Sequence, residues 1–140
     1  MKRHVRWWSL LAVVVLVLGG CSSGTRASDP AGTAVREARS SVAGLVLAVQ
    51  LLLDHRAIPT VTQVSLEQTR EDVAAAQQEL VTASDADPHR RAVATAAVQV
   101  AADTLVALGQ RGAADLGASD LERLEQAERA LAAAAKDLQA

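Results

Sequence analysis

Val35-Arg36-Glu37-Ala38-Arg39-Ser40-Ser41-Val42-Ala43-Gly44-Leu45-Val46-Leu47-Ala48-Val49-Gln50-Leu51-Leu52-Leu53 is the stretch that decides the fold. Its apolar residues Val35, Ala38, Val42, Leu45, Val46, Val49, Leu52 and Leu53 recur in steps of three and four, which places them along one side of an α-helix. Arg36, Arg39, Ser40 and Gln50 lie on or flank the other side. Leu47 and Leu51 fall nearly opposite the stripe, so the part from Val42 onward is apolar almost all round. Asp29-Pro30 or Thr33 supplies a start signal, since Asp can cap orphan amides and Pro suits the first turn. The spacing therefore predicts a helix over about 31–56, ending before Pro59.

Three more helices follow. Thr60-Val61-Thr62-Gln63 and Ser65-Leu66-Glu67-Gln68 each have the form of a capping box. A start near Thr60 gives a second helix of about 60–83, with Leu66, Thr69, Val73, Ala76 and Leu80 inward and Val61 and Val64 pointing away. Asp87-Pro88 opens a third helix, about 88–111. Its inner stripe reads as Val93, Ala96, Ala97, Val100, Thr104, Ala107 and Leu108, with Val98 and Leu105 on the back. Gly109, Gly112 and Gly117 read as a loop, and Ser119-Asp120-Leu121-Glu122 as the box that starts a fourth helix, about 119–139. That helix turns Leu121, Leu124, Ala127, Leu131, Ala134 or Ala135, and Leu138 inward, and carries Glu125 and Arg129 at a favourable four-residue spacing. Four helices of similar length with short connections predict an all-α, antiparallel up-down-up-down four-helix bundle over 31–140.

The residues before the bundle are of another kind. Lys2, Arg3 and Arg6 precede an uncharged apolar run from Trp7 to Leu18, the lengths of signal-peptide n- and h-regions. A dozen residues are too few for a good membrane-spanning helix, which needs about 20. The run closes on Leu18-Gly19-Gly20-Cys21, which resembles the lipobox of bacterial lipoproteins: a branched apolar residue, two small ones, then cysteine. Gly19 is a slight departure, alanine or serine being commoner there. The resemblance implies that residues 1–20 are a signal peptide removed between Gly20 and Cys21. It also implies that Cys21 carries a diacylglyceryl group and an N-acyl group such as palmitate. The protein would then sit on the outer, extracytoplasmic face of the cell membrane, with residues 21–30 as lipid anchor and flexible tether. Two acyl chains hold a protein on a bilayer stably, where one is marginal.

Removing residues 1–20 takes Lys2, Arg3 and Arg6 from the 14 basic side chains and leaves all 16 acidic ones, so the formal net charge moves from −2 to −5. Trp7 and Trp8, the only large aromatic residues, leave as well, and with Cys21 acylated no thiol remains for a disulfide. An acidic surface without aromatic faces argues against nucleic acid as a partner and against stacking on sugars or bases. The arginine-, alanine- and valine-rich composition is similar to that of high-GC actinobacterial proteins, a matter of codon bias.

The exported part offers no motif for chemistry. His55 ends the first helix and His89 starts the third, which puts them at opposite ends of the bundle, so no metal site is expected. Glu-x-x-His and His-Glu-x-x-His patterns are missing, as are Gly-x-Ser-x-Gly and Ser-x-x-Lys. Asp103 and Thr104 lie on or beside the third helix's inner stripe, where they either orient a ligand or serve as a boundary carboxylate and a hydrogen-bonded hydroxyl. His89-Arg90-Arg91 is the densest basic spot, offset by Asp85 and Asp87. The second apolar side, Leu47 and Leu51 with Val98 and Leu105, is either an interaction surface or is buried laterally against helices two and four. The expectation is a non-enzymatic envelope lipoprotein without cofactor. It would be held to the membrane by its lipid, and its bundle would contact an envelope protein or a second copy of itself. The alternative is a bundle that holds a lipid or other small hydrophobic ligand.

Overall fold

The computed structural model describes residues 29–83 and 87–140, so the signal and lipobox readings, and the tether reading up to residue 28, lie outside the described residues. Asp29 and Pro30, assigned to the tether, instead belong to the bundle as the N-cap and first residue of its first helix. Four helices follow one another: α1 (Pro30–Leu53), α2 (Pro59–Thr82), α3 (Pro88–Arg111) and α4 (Ala118–Asp137), with a 3-10 turn at Ala113–Asp115. They pack as an all-α four-helix bundle. A proline at the first helical position sets φ for α1, α2 and α3 at no cost in hydrogen bonds, because that amide would lack a partner anyway. A helix of 24 residues is about 36 Å long.

α1 ends at Leu53 with its apolar run, three residues before the predicted end at about 56. His55 takes φ 57° in the left-handed region, and the amides of Arg56 and Ala57 return to the Leu51 carbonyl, closing the helix end. α2 takes the longer of the two lengths weighed from the sequence. Its start uses neither capping box: Ile58 is the N-cap, and the Gln63 side chain accepts from the Ala113 amide at 3.1 Å, holding the 3-10 turn against α2. Gly109 is helical, and α3 stops at Gly112, whose φ of 80° suits a residue without a side chain. α4 starts two residues before the predicted Ser119 box, at an N-cap of Gly117.

The core consists of alanine, valine and leucine. Leu45, Leu66, Leu105, Leu108, Leu124 and Leu131 are its largest fully buried side chains. The predicted inward residues of α2 are all buried. So are those of α4 apart from Leu121, which is half-buried. α1 buries Val35, Ala38, Val42, Leu45 and Val49, and half-buries Val46, Leu52 and Leu53.

α3 is rotated from its predicted phase. Ala94, Ala97, Val98, Ala101, Leu105 and Leu108 face the core, whereas Val100 is 46 % exposed and Ala96 is exposed. The reason lies in the packing. α1 touches α2, α4 and also α3 across the bundle, while α2 and α4 do not approach one another, so the cross-section is a rhombus with α1 and α3 on its short diagonal. Small residues let two helices approach closely across that diagonal, and Ala94, Ala97 and Ala101 of α3 with Ala34 and Ala38 of α1 supply them.

Candidate functional site

Two polar clusters close the ends of the bundle. At the end where α1 begins, Arg90 Nη2 donates to Asp29 Oδ2 at 2.7 Å and also to the Leu138 carbonyl, joining the start of α1, the start of α3 and the end of α4. Asp87 caps α3 as the sequence predicted, accepting from the amides of His89 (2.8 Å) and Arg90 (3.3 Å). The His89-Arg90-Arg91 spot is thus partly structural, with Arg90 inside the clamp.

The Asp29 carboxyl is pushed up by partial burial. The hydrogen bond from Arg90, the Gly32 amide and the Arg90 and Arg36 charges together outweigh that and hold it below its ordinary 3.8. Asp87 is lowered by the Arg90 and His89 amides. A depressed carboxylate stabilises the fold above its unfolded pKa, and that contribution is lost as pH falls through the folded value. Stability is therefore expected to fall on acidification below about pH 4, with a shallower decline in Asp29→Asn, as measured by urea unfolding across pH 2 to 6.

At the other end, Asp120 is buried and Arg111 reaches it with Nη1 at 3.0 and 3.1 Å from the two carboxylate oxygens. Asp120 Oδ2 also accepts from the Gly117 amide at 3.0 Å. The pair ties the last turn of α3 to the first turn of α4 across the 3-10 turn. Nearby, Thr62 is fully buried and its hydroxyl has no hydrogen-bond partner. Thr62→Val keeps the shape and removes that orphan group, so stability should be unchanged or rise by about 1 kcal/mol in denaturant unfolding.

Of the four residues assigned to a second apolar side, the structure exposes Leu47, half-buries Leu51, and buries Val98 and Leu105 in the core. The rotation of α3 turns Val98 and Leu105 inward, so neither belongs to an exposed apolar side, and Leu105 only underlies a groove between α2 and α3. The residues that accompany Leu47 are Ile58, Val61 and Val64, each more than half exposed. All four lie in the half of the bundle away from Asp29. Val61 and Val64 were legible in the sequence as pointing off the α2 stripe; Ile58 carried no signal beyond its place before Pro59.

Asp103 is exposed and accepts from Gln99 Nε2 at 2.8 Å, and Thr104 donates to the Val100 carbonyl at 2.9 Å. They are the boundary carboxylate and bonded hydroxyl, not a core ligand pair. His55 and His89 are exposed at opposite ends, and among the described residues no three His, Cys, Asp or Glu side chains converge as metal ligands would. A surface groove of about 550 Å³ runs between α2 and α3, with Val73, Leu105 and Val106 along it and Glu67, Arg70 and Glu71 at its rim. Gly109 lets Arg70 lie close to α3, since a Cβ there would stand 3.1 Å from Nη1. Among the described helices, α3 is long and apolar enough by length and composition to cross a bilayer, yet it packs against α1, α2 and α4.

Comparison of the chain with protein-family models, with curated proteins and with solved structures finds no match, so the functional reading rests on the residues themselves.

Proposed function

We propose that this protein is a lipoprotein anchored through Cys21 to the outer face of the cell membrane, and that its four-helix bundle is a non-enzymatic interaction module for an envelope protein. The observation that carries the second part is the exposed apolar set Leu47, Ile58, Val61 and Val64. Scattered apolar residues are ordinary on a surface, but large ones gathered in one region mark contact sites. α1 begins at Asp29, where the tether joins, and Ile58 follows the far end of that helix about 36 Å away. The set therefore lies at the end of the bundle away from the point where the tether joins.

A photocrosslinking residue at Val61 or Val64 in the full-length protein should give a defined adduct in cells. The adduct should vanish when the neighbouring valine is changed to glutamate, and should not form from the exposed Val81 at the opposite end. Equal adducts from Val81, or adducts indifferent to the glutamate, would contradict the reading. The groove between α2 and α3 favours the second reading, a small hydrophobic ligand. In native mass spectrometry that reading requires a copurified mass which Val106→Arg removes.

A further inference from the structure

α3 leaves one side uncovered by the rest of the bundle. An 18-residue window of α3 has a mean hydropathy of 1.6, and only 33 % of it is buried. Along the outer side, at helical spacing, run His89, Ala92, Val93, Ala96, Gln99, Val100 and Asp103, of which Val93 is half-buried and the others are exposed. Two charged or polar residues bracket this strip at equal distances: His89 lies seven residues before Ala96, and Asp103 seven after it. Seven residues are close to two turns, so all three share a face.

We propose that this face pairs with the same face of a second copy, antiparallel, about a twofold axis at Ala96. The two polar ends of the strip select both occupant and direction, since an imidazole N–H can donate to a carboxylate. A twofold interface brings residue i against residue j and j against i. With the axis at Ala96, the imidazole of His89 meets the carboxylate of Asp103 in the second copy, twice over. A parallel pair would set histidine on histidine and aspartate on aspartate. The same axis places Val100 over Ala92 of the second copy, a large side chain against a small one, and Ala96 against itself, where the helices approach nearest.

Asp103 is already held in place for the contact. Gln77 Nε2 donates to Gln99 Oε1 at 3.0 Å, and Gln99 Nε2 donates to Asp103 Oδ1, which leaves Oδ2 to accept another bond. The contact spans about 21 Å of helix. That is smaller than the ~800 Å² per partner of a standard stable interface, so the dimer is a weak one that strengthens with local concentration. The strip lies on a different helix from Leu47, Ile58, Val61 and Val64, and depends on neither that surface nor the tether.

Cysteine pairing in the full-length chain with Cys21→Ser tests the register, because the introduced thiol is then the only one. Under mild oxidation Ala96→Cys should form disulfide dimers faster than Ala133→Cys on the exposed side of α4. His89→Cys should pair with Asp103→Cys in a mixture but not with itself. Asp103→Lys, combined with Ala96→Cys, should slow dimer formation about tenfold, the change that about 1.4 kcal/mol of lost pairing produces. Crosslinking at Ala96 no faster than at Ala133 overturns the dimer. His89→Cys pairing with itself as readily as with Asp103→Cys overturns the antiparallel register. Circular dichroism of each variant, showing native helix content, keeps misfolding from passing as a loss of pairing.

Discussion

Leu105→Ala is expected to lower stability by about 3 kcal/mol, whereas Val100→Ala on the same helix should cost less than about 1 kcal/mol. Leu105 is fully enclosed between α2 and the rest of the core, and truncation removes three carbons where neighbours on both sides are already packed. An alanine-rich core cannot collapse readily into the space, because its neighbours have little side chain to move. Val100 is 46 % exposed, and shortening it mainly changes contact with water. Denaturant unfolding of the two variants, at unchanged slope, separates the observed phase of α3 from the one its pattern suggested; equal costs would place both residues in similar surroundings.

The second large effect is expected at Arg111. Arg111→Ala leaves the Asp120 carboxylate buried with only the Gly117 amide for company, and should cost about 2 kcal/mol. Removing a partner from a fully buried ion pair costs about 3–5 kcal/mol. Arg111 is half exposed, so water can enter where its guanidinium stood and the smaller figure applies. The double variant Arg111→Ala/Asp120→Ala should be more stable than the sum of the two single losses implies, since no buried charge is then left alone. By contrast, the exposed pairs Arg39–Glu128 and Arg129–Glu125, at 2.8 and 3.8 Å, should each contribute about 0.5 kcal/mol or less.

These two residues also show where the sequence was readable and where it was not. The inner faces of α2 and α4, and of α1 before Val42, could be read because their stripes alternate with charged or amide residues: Leu66, Val73 and Leu80 stand among Glu67, Arg70, Glu71 and Gln77. α3 has no such contrast. Val93, Ala94, Ala96, Ala97, Val98, Val100, Ala101 and Ala102 surround it, and a buried alanine looks in sequence like an exposed one. What fixes its phase is the close approach to α1, a tertiary demand absent from the helix's own pattern.

The start of α4 failed for a related reason. Ser119-x-x-Glu122 is a sound capping box locally, but Leu116 is buried, which sets the turn at Gly117 and makes Asp120, not Glu122, the residue that returns to the cap. The Asp87-Pro88 start needed no such partner, and it was read correctly. Of the apolar surface, Leu47 was legible as a residue opposite its own stripe. Its companions Val61 and Val64 were legible only as leftovers, and it takes the fold to place them in the same half of the bundle as Leu47.

The claim on which location and function both rest is that the chain begins, once exported, at an acylated Cys21. The intact mass of the protein purified from membranes tests it most directly. The expected result is a chain beginning at Cys21 with the added mass of a diacylglyceryl group and an N-acyl chain, and without Trp7 and Trp8. A chain that keeps Trp7 and Trp8, or one that begins elsewhere and carries no lipid, would contradict the account.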